Sequence, residues 1–353
     1  MKKYFALLFL AVATVLGLAS CAESAKDPKE GIPSNQELLH VSFDISRELF
    51  ASINQGFVPY WTAQNPGSTV HIEQSHAGSS RQVRSVVDGL PADLVSMNNL
   101  ADIQFLFAQS KDQPGGALIA ENWAELYPNG ASPFFSTMAF VVRKGNPKGI
   151  KEWSDLAKDG VNLVAPNYKT TGNGRYSYLT AWAWVLHQGG STAEAKNLLT
   201  RIVKNTPVLA TGGRDATTIF AERGQGDVLA TFEAEANAII HQYGSDKYEV
   251  IVPSFGLITP MYVVTVKKNT EAKAKSITAV ANDYWNFVYS DAGQEIIAKS
   301  FYRPYKAEIA AKFTDILPPT VLVTIDSVFG SPEEAQKQHF AEGGSFDQIV
   351  AGK

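Results

Sequence analysis

Cysteine is almost absent: the chain of 353 residues has one, Cys21. No intramolecular disulfide can form, so an exported protein of this sequence would be held together by its core alone. An excess of positive charge is absent too. Lysine and arginine number 31 against 35 aspartates and glutamates, a formal net charge of −4, which leaves no basic footprint for nucleic acid. After the first 18 residues no apolar run is long enough to span a membrane. The six histidines, His40, His71, His76, His187, His241 and His339, include no pair with each other or with a carboxylate at a metal-ligand spacing such as HExxH. With a single cysteine as well, no metal site is expected. Neither a GxSxG elbow nor a Walker loop appears. Gly172-Asn173-Gly174-Arg175 begins like a dinucleotide fingerprint but lacks the third glycine. Glu233 and Glu235, two apart on an expected helix, do not face one another. The chain therefore offers no set of residues with catalytic roles, and neither an enzyme activity nor a cofactor is expected.

What is present begins at the N-terminus. Lys2 and Lys3 precede an apolar stretch, residues 4–18, that is too short and too early for a stable spanning helix. It ends in Leu18-Ala19-Ser20-Cys21, which resembles the lipobox of bacterial lipoproteins. That resemblance implies a signal peptide over residues 1–20, lipidation of Cys21 and a lasting tether to a membrane. Residues 21–36, small, charged and bearing proline and glycine, suit a flexible, lipid-anchored linker. The rest of the chain is longer than one hydrophobic core usually serves, so two lobes are expected.

Within those lobes one device recurs. An apolar run, 161–165, ends in Pro166-Asn167. The loop Lys169-Thr170-Thr171-Gly172-Asn173-Gly174 follows, and then an aromatic-rich helical pattern. Such a loop presents backbone N–H groups at a helix start, where the helix dipole favours negative charge. Thr171 adds a hydroxyl, and Gly172 and Gly174 let a ligand approach the backbone. An ordinary strand-to-helix turn with a threonine cap has the same pattern. Residues 71–74 read as strand, 75–80 as loop and 81–87 as helix; 207–210 read as strand, 211–213 as loop and 214–223 as helix. A strand over 39–43 ends at Asp44, with Ser46 an N-cap for a helix through Phe57, and a strand over 227–231 leads into a helix from Glu233. Alternating strands and helices predict parallel α/β sheets that bind ligands at the carboxyl ends of their strands. Arg81, Arg175 and Arg214 each follow one of the loops. Set inside helices, they fit a loop-bracing role better than a clamp on an anion. His76, in the first loop, reads as a packing or capping residue.

HVSFDISRELF, IEQSHAGSSRQ, FVVRKGNPKGIKEWSDL, PNYKTTGNGRYSYLTAW, the Gly212-Gly213-Arg214 loop with FAERGQGDVLATFEAEA, and the C-terminal GQEIIAKSFYRP and FTDILPPTVLVTID occur in that order. Together they resemble the sulfate/thiosulfate-binding proteins of bacterial ABC importers, over nearly all of the chain after the linker. The resemblance implies a type II periplasmic-binding-protein fold. Two α/β lobes, each a mostly parallel sheet flanked by helices, would close over one anion in the cleft between them. Residues 37–130 would form the first part of lobe 1, 131–257 lobe 2, and 258–353 the return to lobe 1 with a C-terminal helical segment. A dehydrated sulfate would be held by backbone N–H groups, hydroxyls and an indole N–H, with no cation touching it. By position these contacts fall on Asp44, Ser79, Thr171, Gly172, Asn173, Gly213 and Phe232. The implied partners are sulfate or thiosulfate, an ABC permease of the inner membrane and the membrane itself through the lipid anchor. A monomer is expected, anchored outside the cytoplasmic membrane or in the periplasm, with the outer membrane an option.

Three positions depart from the family pattern. Thr171 stands for a serine and keeps the hydroxyl. Asn173 stands for a glycine; asparagine tolerates left-handed backbone angles, but its side chain must find room. Phe232 stands for the tryptophan and cannot donate. A hydrogen bond to a charged group contributes roughly 1.5–3 kcal/mol, so this loss would weaken sulfate binding about ten- to a hundredfold unless the Asn173 amide supplies the donor. The Phe232 face would instead suit the softer terminal sulfur of thiosulfate. A binding protein for phosphate, molybdate or an organosulfonate, or a surface protein without a transport role, are the alternatives. Phosphate is disfavoured because its proton needs an acceptor, and Asp44 alone among the matched positions offers one.

Overall fold

The computed structural model of the chain describes residues 35–352. The expected signal peptide, Cys21 and all of the expected linker but its last two residues lie outside them; residues 35 and 36 open the first strand. The strands are β1 (Asn35–Phe43), β2 (Thr69–Ala77), β3 (Leu94–Met97), β4 (Phe134–Ser136), β5 (Met138–Arg143), β6 (Leu163–Pro166) and β7 (Val208–Ala210). They continue with β8 (Val228–Phe232), β9 (Tyr248–Ile251), β10 (Phe255–Leu257), β11 (Thr259–Thr265), β12 (Arg303–Pro304) and β13 (Val321–Val323). Among the described residues they form a six-stranded sheet in the order β12-β4-β11-β3-β1-β2, a five-stranded sheet in the order β7-β6-β8-β5-β9, and the pair β10-β13. The chain leaves the first sheet between β4 and β5, at Thr137, and returns between β10 and β11, at Ile258.

Each large sheet is the heart of one lobe. β1 buries Leu38, Val41 and Phe43, and the helix Arg47–Gln64 buries Leu49, Phe50, Ile53, Phe57 and Trp61, spaced three and four apart along one face. That face meets the helix Lys275–Tyr289, with Phe57 and Tyr284 ring centroids 5.0 Å apart. Each such fully buried side chain contributes about 1.5–3 kcal/mol. His40 lies in this core between Phe50 and Trp285, its Nε2 2.8 Å from Ser96 Oγ. Burial lowers its pKa to about 3, so it is a neutral core residue. In the second lobe the helix Gly172–His187 is buried on nearly every side. Its Tyr178 and Trp182 pack on His339 and Phe340, so the C-terminal segment covers the face that the sheet leaves open.

Most strands of each sheet run one way, as expected: β1 to β4 in the first and β6 to β9 in the second, with β11, β12 and β5 running against them. A strand that arrives from the other lobe enters at the cleft edge and must run away from it, against the strands whose carboxyl ends face the cleft. The first loop, however, is shorter than expected. β2 continues through Ala77, where every residue pairs with β1, and the helix starts at Ser79, leaving Gly78 as the whole connection.

Candidate functional site

The carboxyl ends of the parallel strands of both sheets meet across the cleft. β1 delivers Asp44, β2 Gly78 and Ser79, and β3 Asn98; from the other lobe β6 leads to Gly172, β7 to Gly212 and Gly213, and β8 to Phe232 and Glu233. Three contacts close the gap. Arg214 N–H donates to Asp44 Oδ2 at 3.2 Å. A methyl group placed on Gly172 would stand 2.1 Å from Asn98 Oδ1, and one on Gly213 2.7 Å from Ile45 Cγ2. Outside this seam a cleft of about 720 Å³ opens, lined by Asp44, Gly78, Arg81, Lys169, Arg175 and Gly212 among others.

Three helices begin at the seam: Ser79–Val87, Gly172–His187 and Gly213–Thr217. The first amides of each have no carbonyl one turn before them, and each helix start carries positive partial charge. Ser79, Gly172, Asn173 and Gly213 are all buried there. What they offer is backbone N–H. The side-chain hydroxyls expected to join them are engaged elsewhere. Thr171 is the N-cap of the second helix: its Oγ1 accepts from Gly174 N–H at 2.9 Å and donates to the Asn167 carbonyl at 2.9 Å. Ser79 Oγ donates to Asp102 Oδ2, while Ser80 Oγ donates to Oδ1 of the same carboxylate at 2.8 Å. Asn173 Nδ2 donates to Thr231 Oγ1 at 2.9 Å, so the amide has a partner inside its own lobe, and its Oδ1 is buried without one. Phe232 is fully buried, its ring 6.1 Å from that of Tyr176, and presents no donor. Asp44 accepts from Ile45 N–H on Oδ1 at 3.0 Å and from Arg214 N–H on Oδ2. Burial pushes its carboxyl up while these two N–H groups hold it down.

The arginines divide. Arg175 donates from Nε and Nη2 to the Lys169 carbonyl at 3.2 and 2.9 Å, tying the second loop to its own helix. Arg214 reaches Glu48 Oε2 in the other lobe at 2.7 Å and approaches Glu235 at 3.9 Å. Arg81 braces nothing among the described residues; because the helix starts at Ser79, position 81 turns outward and lies exposed on the cleft wall. His76 belongs to β2 and pairs with Ser42 Oγ through Nδ1 at 2.8 Å, with burial lowering its pKa to about 4.

A buried seam of helix starts between two lobes is the geometry of a solute receptor. The family described as "Bacterial extracellular solute-binding protein" matches residues 50–303. The thiosulfate-binding protein of Pseudomonas aeruginosa is 43% identical over 351 residues, 99% of this chain and 99% of that one. The chain belongs to the sulfate/thiosulfate-binding proteins. The family's sulfate-binding protein of Salmonella typhimurium is 41% identical, over 96% of this chain and 98% of its own. Among solved structures, the sulfate-binding protein SubI of Mycobacterium tuberculosis superposes with a TM-score of 0.75 at 26% identity, covering 86% of this chain and 99% of that one. The fold is therefore the type II periplasmic-binding-protein fold of this family.

Several residues at the seam or tied to its loops do not stand out in the sequence. Asn98 follows the apolar run 94–97, and that strand-to-polar-turn signal repeats the device of the other loops. Arg303 on β12 clamps Glu233 with Nε and Nη2 at 2.7 and 2.8 Å, joining the two lobes, and only the fold brings them together. Asp347 pairs with Lys169 of the second loop at 2.5 Å across 178 residues. Glu235 is buried beside Arg214 and accepts from Thr217 Oγ1 at 2.6 Å. Burial raises its pKa to about 7, partly offset by Arg214 and Thr217.

The Glu235 carboxyl yields a pH prediction. Between its ordinary 4.5 and about 7 the folded chain holds a proton that the unfolded chain has lost. Stability from this group is full below 4.5 and falls as pH rises through about 7, by up to about 3 kcal/mol. Glu235→Gln should flatten that fall. Urea unfolding of both proteins at pH 5 and pH 8 checks it, and equal pH slopes for the two would overturn the assignment.

Proposed function

We propose that this chain is the extracytoplasmic receptor of an ABC importer, capturing sulfate or thiosulfate and delivering it to a permease of the inner membrane. One observation carries the reading. Helix starts from both lobes converge on a buried seam where backbone N–H donors are left over, while Arg175 and Arg214 are occupied with loop carbonyls and carboxylates. Relatives whose names state thiosulfate or sulfate binding cover nearly all of the chain. Donors from each lobe let one anion bridge them, and that differential affinity draws the open form closed. Lobe 1 then runs through β4, lobe 2 from β5 to β10, with Thr137 and Ile258 as crossing points and β11 opening the return. The proposed receptor is monomeric and held outside the cytoplasmic membrane through lipid on Cys21.

A fully ionised anion fits better than hydrogen phosphate. Phosphate's proton needs an acceptor, and both oxygens of Asp44 already accept backbone N–H groups. Calorimetric titration of the anion-free protein with sulfate, thiosulfate, phosphate and molybdate tests the reading. One-to-one binding of sulfate or thiosulfate, well ahead of phosphate, is the expected result. Folded protein that takes up neither would overturn it.

A further inference from the structure

We propose that Asn98 is an anion-binding residue of lobe 1, donating its carboxamide N–H to sulfate at the start of the Gly172–His187 helix; this rests on the sulfate reading above. Asn98 follows the last residue of β3. Ser96 of that strand pairs with Ser42 of β1, so the register sets Asn98 beside Asp44 at the cleft edge of the sheet. From there its side chain crosses to the other lobe and lies against Gly172, with Oδ1, Cγ and Nδ2 at 2.1, 2.8 and 3.3 Å from the place where a Cβ would stand. The residue is 4% exposed, and its Oδ1 is buried with no hydrogen-bond partner. A buried carboxamide left unpaired costs free energy, and a group so placed is explained by something that pairs with it.

The surroundings decide what that partner is. The amides of Gly172 and Asn173 open a 16-residue helix and carry the positive end of its dipole. An anion at this tip meets the Asn98 carboxamide on its lobe 1 side. A half-turn about the Cβ–Cγ bond exchanges oxygen and nitrogen, and the dipole of the bound anion selects the turn that presents N–H. The other side chains of the seam leave this role open. Asp44 is filled by two backbone N–H groups, the Ser79 hydroxyl is held by Asp102, Asn173 Nδ2 is held by Thr231, and Phe232 has no donor. Asn98 is thus the side-chain donor by which lobe 1 recognises the anion.

Calorimetric titration of the full chain with sulfate, alongside Asn98→Ala and Asn98→Asp, tests this. Asn98→Ala should bind about ten- to a hundredfold more weakly, with unchanged thermal melting in the absence of anion. Asn98→Asp keeps the shape but puts an acceptor and a negative charge at the anion, so it should bind more weakly still. Packing alone would not separate the two variants. Asn98→Ala within twofold of the parent, or Asn98→Asp no weaker than Asn98→Ala, would overturn the proposal and leave the sulfate reading standing. A parent chain that binds neither sulfate nor thiosulfate would overturn both.

Discussion

Gly172→Val should lower sulfate affinity at least a hundredfold while the protein still folds. The first Cβ atom would stand 2.1 Å from Asn98 Oδ1 and 2.8 Å from its Cγ, and valine adds two methyl groups in the same crowded seam. Asn98 is buried at 4% exposure and cannot swing aside without finding room inside the closed cleft. Within its own lobe, though, position 172 is the first residue of a helix with a threonine cap before it, where a side chain is tolerated. The clash is therefore between lobes and is relieved by opening. An open cleft loses the donors of lobe 1; two hydrogen bonds to a charged group at about 1.5–3 kcal/mol each amount to at least a hundredfold. Titration calorimetry with sulfate and a thermal melt without it are the two measurements. Normal affinity would show that the seam yields to a side chain and that closure is not set there; a large drop in melting temperature would place the damage in the lobe itself.

Arg303→Met should be the most destabilising of the substitutions considered, by about 3–5 kcal/mol. Arg303 holds both oxygens of Glu233 and also donates to the Pro318 carbonyl at 2.7 Å. The Glu233 side chain is wholly buried and that of Arg303 11% exposed. Burial raises the Glu233 carboxyl, and the Arg303 guanidinium offsets part of that rise. Removing one partner leaves a buried carboxylate without compensation, which costs more than the pair contributes when intact. Adding Glu233→Gln should recover part of the loss. Urea unfolding at pH 8 measures it. A loss below about 1 kcal/mol would mean that water or another group reaches Glu233, and that the clamp does not hold the lobes together.

These two positions also show how far the sequence could be read. The strand-loop-helix device around 161–184 was legible because apolar runs, a Pro-Asn turn and a small polar loop are local signals. Helix starts at Ser79, Gly172 and Gly213 fall within three residues of where the loops place them. The mixed pairing of the sheets was not legible, since β5 and β11 look like any other apolar strand and their direction depends on which lobe the chain has just left. Nor was Arg81's idleness: two extra residues of helix before it, invisible to pattern, turn it outward.

By itself the sequence determined the elements, the class of fold, the place of the three loops and the family. Those follow from hydrophobic period, turn chemistry and ordered motifs, all carried by neighbours along the chain. Tertiary structure alone decided how each polar group is used. The Thr171 hydroxyl goes to the Asn167 carbonyl and the Gly174 N–H, the Ser79 hydroxyl to Asp102 and the Asn173 amide to Thr231, while Asn98 Oδ1 is left without a partner against Gly172. Donors and acceptors are spent on whatever the fold brings within 3 Å, and for Asn173 and Thr231 that partner is 58 residues away. Which group stays free for an anion is settled only when both lobes are in place.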